Sequence, residues 1–196
     1  MNNELFDTLY KDVMKMLREK LPANLFYHSP EHTMDVIRAS ERIAISEKCS
    51  PAEVLLIKTA ALFHDTGYVQ DMREHEKSGC EIVSRMLAPH GIPKPEIDIV
   101  CNLIMATKVP QEPKSKLEKI VCDADLDYLG RDDYFSIAEN LRREFSAFDK
   151  VKDEKDWIQL QVNFLQSHSY FTETSIRERQ PGVISNLKKI KEAVIG

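Results

Sequence analysis

The stretch ALFHDTGY, residues 61–68, sets an imidazole and a carboxylate side by side, His64 and Asp65, where an apolar helical run would otherwise continue. Burying two ionisable groups together is costly unless they are paired or hold something. Upstream stands His32 in YHSPEHTMDV (27–36), and downstream stand Asp123, Asp125 and Asp127 in VCDADLDYLG (121–130). The order is a histidine, then His-Asp, then an aspartate. Two imidazoles and two carboxylates suit an octahedral divalent ion with water in the remaining positions. Adjacent residues on a helix point about 100° apart, so His64 and Asp65 reach one ion only near a loose helix end, which Gly67 provides.

Working outward, apolar positions recur at helical spacing almost everywhere, and alternating β-branched runs are few. The expected fold is all-α. A chain of 196 residues, 42% hydrophobic, can bury one core without disulfides, and a single domain over 1–196 is expected. Leu5, Leu9, Val13 and Leu17 mark the face of a first helix that ends before Pro22. Ser29 caps a second helix from about Pro30 to Lys48, carrying His32, Val36, Ala39 and Ile43 on one face. Ser50-Pro51 opens a third helix that runs to Gly67. Further helices are expected from Glu74 to Pro89, Pro95 to Thr107, Lys116 through the aspartate cluster, Ile137 to Phe148, Trp157 to His168 and Gly182 to Ile195, with a break at Gly130.

A net charge of -5 argues against broad binding to nucleic acid or anionic membranes. No long uncharged apolar run is present and the first twenty residues are charged throughout, so neither a membrane span nor a signal peptide is read, and a cytoplasmic protein is expected. Cys49, Cys80, Cys101 and Cys122 lack CxxC spacing and read as small core residues.

The segments YHSPEHTMDV, ALFHDTGYV, HEKSGCEIV, LIMATK and VCDADLDYLGRDDYF, in that order, resemble the HD-domain metal-dependent phosphohydrolases, nearer the cyclic-nucleotide phosphodiesterase side. The resemblance covers roughly residues 25–170. It implies a helical HD bundle holding one divalent ion (manganese, iron, cobalt, nickel, zinc or magnesium) through His32, His64, Asp65 and one downstream aspartate. Asp123 and Asp125 are two apart and cannot both face one site from a helix. The family's alanine-aspartate motif matches Ala124-Asp125-Leu126, so Asp125 is preferred and Asp123 is the alternative. In the phosphodiesterases that YHxxxH resembles, the first histidine protonates the leaving oxygen, a role that falls here on His28. His75 stands where binuclear members recruit a second metal, but LIMATKVP lacks their later histidines. One metal is therefore expected, with His75 or Glu76 contacting substrate or water.

The implied activity is hydrolysis of a phosphate mono- or diester, a nucleotide, by metal-activated water. Asp65 or Glu76 would orient the water, and Lys108 with Arg131 would contact phosphate. Tyr27, Tyr68, Tyr128 and Phe135 are candidates for a base-binding wall or for core. His90 and His168 read as structural, and the first helix offers an ordinary homodimer contact. The competing readings are a metal-retaining nucleotide-binding or signalling module with little turnover, and a structural helical protein without a ligand.

Overall fold

Helix starts follow the capping chemistry of the sequence. In the computed structural model, which describes residues 1–195, α1 (Asn3–Lys20) begins on Asn2, whose side chain accepts from the Leu5 N–H. The next, α2 (Pro30–Ser46), begins on Ser29 with proline in its first turn. Reciprocal capping boxes, Ser50 with Glu53 and Ser115 with Glu118, open α3 (Pro51–Phe63) and α6 (Lys116–Asp125). Between these lie α4 (His75–Leu87) and α5 (Lys94–Ala106), and after them α7 (Tyr134–Ala147), α8 (Glu154–Ser167), α9 (Glu173–Glu178) and α10 (Gln180–Ile195). No strand occurs among the described residues.

The third helix differs most from the sequence reading, ending at Phe63 rather than continuing to Gly67. The chain turns there into a 3-10 segment, Thr66–Val69. The short α9 was not anticipated, because six residues are too few for a hydrophobic period to register.

Two apolar clusters organise the molecule. The larger is built around α3, whose Ile57, Ala60, Ala61, Leu62 and Phe63 are fully buried against α1, α2, α5 and α6. A helix apolar on most of its circumference belongs in the centre of a bundle. Each leucine or isoleucine buried there contributes about 1.5–3 kcal/mol. The second cluster gathers Tyr128, Leu129, Tyr134, Trp157, Leu165, Val183 and Ile190 between α7, α8 and α10.

Buried polar clasps join the clusters. The Asp123 carboxylate accepts from the backbone N–H groups of Phe171 (2.9 Å) and Thr172 (2.8 Å) and from the Thr172 hydroxyl (2.6 Å). Asp127 Oδ1 accepts from Arg42 (2.5 Å) and Arg179 (2.8 Å). The Tyr170 hydroxyl donates to the Leu126 carbonyl at 3.0 Å. Asp123, carried from the sequence as the alternative ligand, is thus committed to the C-terminal segment. It sits two residues from Asp125 on α6, so the two carboxylates face opposite ways.

No helix is long and apolar enough to cross a membrane among the described residues.

Candidate metal centre

The end of α3 explains how adjacent residues address one point. His64 retains helical backbone (φ -56, ψ -39), whereas Asp65 moves to φ -101, ψ 1. That change rotates the Asp65 side chain relative to where helix continuation would put it. Gly67 contributes by its size. A Cβ there would stand 1.8 Å from the His75 carbonyl oxygen, so only glycine lets the turn lie against the start of α4.

His64 Nδ1 lies 2.8 Å from the Ala61 carbonyl oxygen, a contact only a protonated nitrogen can make. In the neutral ring Nε2 is then left with its lone pair pointing outward. It faces His32 Nε2 at 3.3 Å, Asp65 Oδ2 at 3.1 Å and Asp125 Oδ1 at 3.5 Å. His32 Nε2 lies 3.5 Å from Asp65 Oδ2 and 3.3 Å from Asp125 Oδ1. One donor atom each from His32, His64 and Asp125 falls within 4.8 Å of the others. Asp65 Oδ2 is buried with no hydrogen-bond partner. Converging nitrogen and carboxylate acceptors around an orphaned oxygen fit a divalent cation, which would neutralise both carboxylates. Burial disfavours a charged His64, yet Asp65 and Asp125 outweigh it and hold the ring well above its ordinary range. This is the electrostatic signature of a pocket suited to positive charge.

Gln111 steadies the cluster from behind, its Nε2 lying 3.4 Å from Asp125 Oδ2. Sequence reasoning missed this residue because nothing in its loop marks it.

Beside the cluster, His28 Nδ1 pairs with Glu144 Oε1. Glu144 Oε2 accepts from the backbone N–H groups of Tyr27 (2.9 Å) and His28 (3.1 Å). Burial opposes protonation of His28, but Asp65 and Glu144 prevail and raise its pKa. The other ring nitrogen, Nε2, lies 3.3 Å from the Tyr68 hydroxyl. Glu144 was invisible in the sequence: it is one glutamate among several on the amphipathic α7, and its partner lies 116 residues away.

The Tyr68 ring stacks on His75 with centroids 4.0 Å apart. His75 Nε2 lies 3.4 Å from Glu76 Oε1 and 3.9 Å from Asp65 Oδ1. His75 Nδ1 and Glu76 Oε2 are buried without partners. Burial lowers the His75 pKa, more than Asp65 and Glu76 restore it.

These groups sit at the head of a cavity of about 470 Å³, within the size range of small-molecule sites. His28, Asp65, His75, Glu76, Lys108 and Asp125 line that end. Lys108 is half-exposed, with Nζ 3.4 Å from Glu74. The structure does not bring Arg131 to the cavity. It is held by Asp35 at 2.6 Å and Asp133 at 2.7 Å, with Asp127 at 3.7 Å, because its helix break turns it toward α2. Tyr27, Tyr68 and Tyr128 line the cavity, whereas Phe135 is an exposed ring beneath Lys189.

A family model, the HD domain, matches residues 31–127, a span that contains His32, His64, Asp65 and Asp125 and ends before Glu144. No curated protein is a match for the chain. Solved structures share its fold, among them three at 18–22% identity. Bacillus subtilis YpgQ, solved in complex with ADP, is 18% identical with a TM-score of 0.68, over 97% of this chain and 95% of that one. The Lin1889 protein from Listeria innocua is 18% identical with a TM-score of 0.67, over 99% and 98%. A predicted HD superfamily hydrolase from an uncultured Thermotogales bacterium is 22% identical with a TM-score of 0.62, over 94% and 91%. Helical architecture, the domain match and the convergence of the histidines and aspartates within it agree: the chain is an HD-domain protein.

Proposed function

We propose that this protein is a metal-dependent phosphohydrolase that cleaves a phosphate mono- or diester, and that its substrate is a nucleotide. The observation that carries the reading is the convergence of His32, His64, Asp65 and Asp125 at the head of a cavity faced by the His28–Glu144 pair. ADP in the structurally similar YpgQ supports the choice of a nucleotide.

His32, His64, Asp65 and Asp125 would hold one divalent ion, with Ala61 and Gln111 orienting the ligands from behind. Such an ion supplies positive charge to polarise a phosphoryl oxygen and acidify the attacking water. Glu76, buried and with one oxygen unpartnered, would accept a hydrogen bond from that water. His28 delivers a proton to the departing oxygen from Nε2, while Glu144 fixes Nδ1 and stabilises the imidazolium. Lys108 at the rim meets phosphate as a point charge. His75 contributes a neutral ring against the substrate, consistent with its lowered pKa.

The test is metal analysis of purified wild type and Asp65→Ala, with a manganese-supplemented screen of nucleotides and cyclic nucleotides. Near-stoichiometric metal and phosphate release, both lost in the variant, are expected. Metal without turnover on any substrate would leave a nucleotide-binding module, and absence of metal from wild type would overturn the site.

A further inference from the structure

Of the four cysteines, Cys122 alone is fully buried, its thiol donating to the Ala106 carbonyl at 3.1 Å. Cys49 is partly exposed, and so are Cys80 and Cys101, which meet across the packed helices α4 and α5. Their contacts are reciprocal. The Cys80 thiol lies 3.5 Å from the Cys101 carbonyl oxygen, and the Cys101 thiol lies 3.7 Å from the Cys80 carbonyl oxygen. Each sulfur therefore rests on the backbone of the other's helix.

A thiol is a weak donor, and both carbonyls lie inside helices, where they accept from the backbone N–H four residues on. Little hydrogen bonding is lost if the two sulfurs turn toward each other instead. They already act on one another. The Cys80 thiol, and after it the Ser84 hydroxyl, favours the Cys101 thiolate in spite of partial burial, whereas Cys101 and burial together push the Cys80 thiol up. Cys101 is thereby the better nucleophile and Cys80 the thiol beside it that can resolve an oxidised sulfur. Cys49 has no thiol neighbour, and burial raises its pKa.

We propose that Cys80 and Cys101 form a site of oxidative modification, which hydrogen peroxide converts to an intramolecular disulfide joining α4 to α5. In the first step the Cys101 thiolate attacks one peroxide oxygen and the O–O bond breaks. The departing hydroxide takes up the proton released by the thiol and leaves as water, and the sulfur, oxidised by two electrons, becomes a sulfenic acid. Cys80 then attacks that sulfur. The S–S bond forms as the S–O bond breaks, and the Cys80 proton leaves with the hydroxide as a second water. Two thiols and one hydrogen peroxide thus give one disulfide and two waters. Neither step draws on a metal or on hydrolysis. The joint that the bond would tie carries cavity residues at both ends: Glu76 one turn before Cys80, and Thr107 and Lys108 beyond Cys101.

The experiment treats reduced, full-length protein with a few equivalents of hydrogen peroxide and quenches with catalase. Remaining thiols are alkylated under denaturing conditions, and tryptic peptides are mapped without reduction. The four cysteines fall in four different peptides, with Cys80 in 78–85 and Cys101 in 86–108, since trypsin does not cut Lys94-Pro95. Loss of two thiols, a link between those two peptides and its disappearance with dithiothreitol are expected. Cys49 serves as the internal control and should be oxidised at least about tenfold more slowly. In Cys80→Ser, verified as folded by a thermal melt, the link should give way to a dimedone-reactive sulfenic acid on Cys101. Recovery of both wild-type peptides in alkylated form, a covalent dimer in place of the internal link, or oxidation of Cys49 as fast as Cys101 overturns the proposal.

Discussion

At the scale of single residues, the chemistry depends on which groups meet across long separations. In the proposed mechanism Glu144 acts on substrate only through His28, so its removal should change how activity depends on pH as well as its size. A general acid must be protonated to work, and Glu144 raises the His28 pKa. In Glu144→Gln the alkaline limb of the kcat/KM profile should therefore move to lower pH, and activity at pH 8 should fall about tenfold or more on a substrate with an alkoxide leaving group. A p-nitrophenyl ester, whose leaving group needs no proton, should be nearly indifferent. Equal losses on both substrates would mean that Glu144 merely supports the fold. Asp65 makes the complementary case. Asp65→Asn keeps the volume but removes a charge facing both histidines, and metal content after dialysis should drop by at least about tenfold.

At the scale of elements, the decisive feature is the junction of α3, the 3-10 turn and α4. Gly67 permits the turn to touch the His75 backbone, and this contact sets both Asp65 and the His75-Glu76 pair. Gly67→Ala should cost about 2–3 kcal/mol, since the Cβ meets backbone that cannot step aside. Urea denaturation measures that loss, and metal affinity should fall with it. A variant with wild-type stability and metal binding would show that the turn relaxes freely. The helices themselves were legible from caps and periodicity: Ser29-Pro30 and Ser50-Pro51 mark starts that the structure reproduces, and the sixth helix begins at Lys116 as expected. The end of α3 was misread because the apolar run continues past Phe63, and periodicity does not register where hydrogen bonding changes from α to 3-10.

At the scale of the molecule, two apolar clusters are clasped by buried polar groups, and His168 reports on the second of them. It packs against Phe164 and Tyr170, with Nε2 buried and unpartnered, and burial depresses its pKa to about 4. The unfolded ring titrates near 6.5. A depressed histidine contributes stability that is fully present above the unfolded value and is lost as pH falls from about 6.5 to about 4. The loss should be on the order of 2 kcal/mol, read as a fall in urea midpoint between pH 7.5 and 4.5. His168→Phe should flatten that part of the curve, and an unchanged slope would exclude His168 as its source. Removing metal with a chelator should also lower the melting temperature at neutral pH. Apposed Asp65 and Asp125 carboxylates then lose their shared cation, whereas folding with metal draws on its binding free energy.

The sequence by itself determined the helical class, most helix starts and the spacing of His32, His64, Asp65 and Asp125, because caps, period and adjacent polar residues in an apolar run are local signals. It also narrowed Asp123 and Asp125 to one candidate ligand, since two residues apart on a helix cannot share a face. Only the tertiary structure decided which one faces the histidines: the Thr172 segment occupies Asp123, and Gln111 steadies Asp125. The same holds for Arg131, whose position less than two turns after the aspartates suggested phosphate but whose charge is met by three carboxylates. Glu144 carries no local mark at all. A glutamate on an amphipathic helix has the same sequence pattern whether it meets water or pairs with a buried histidine, and what distinguishes this one is burial against a segment distant in the chain.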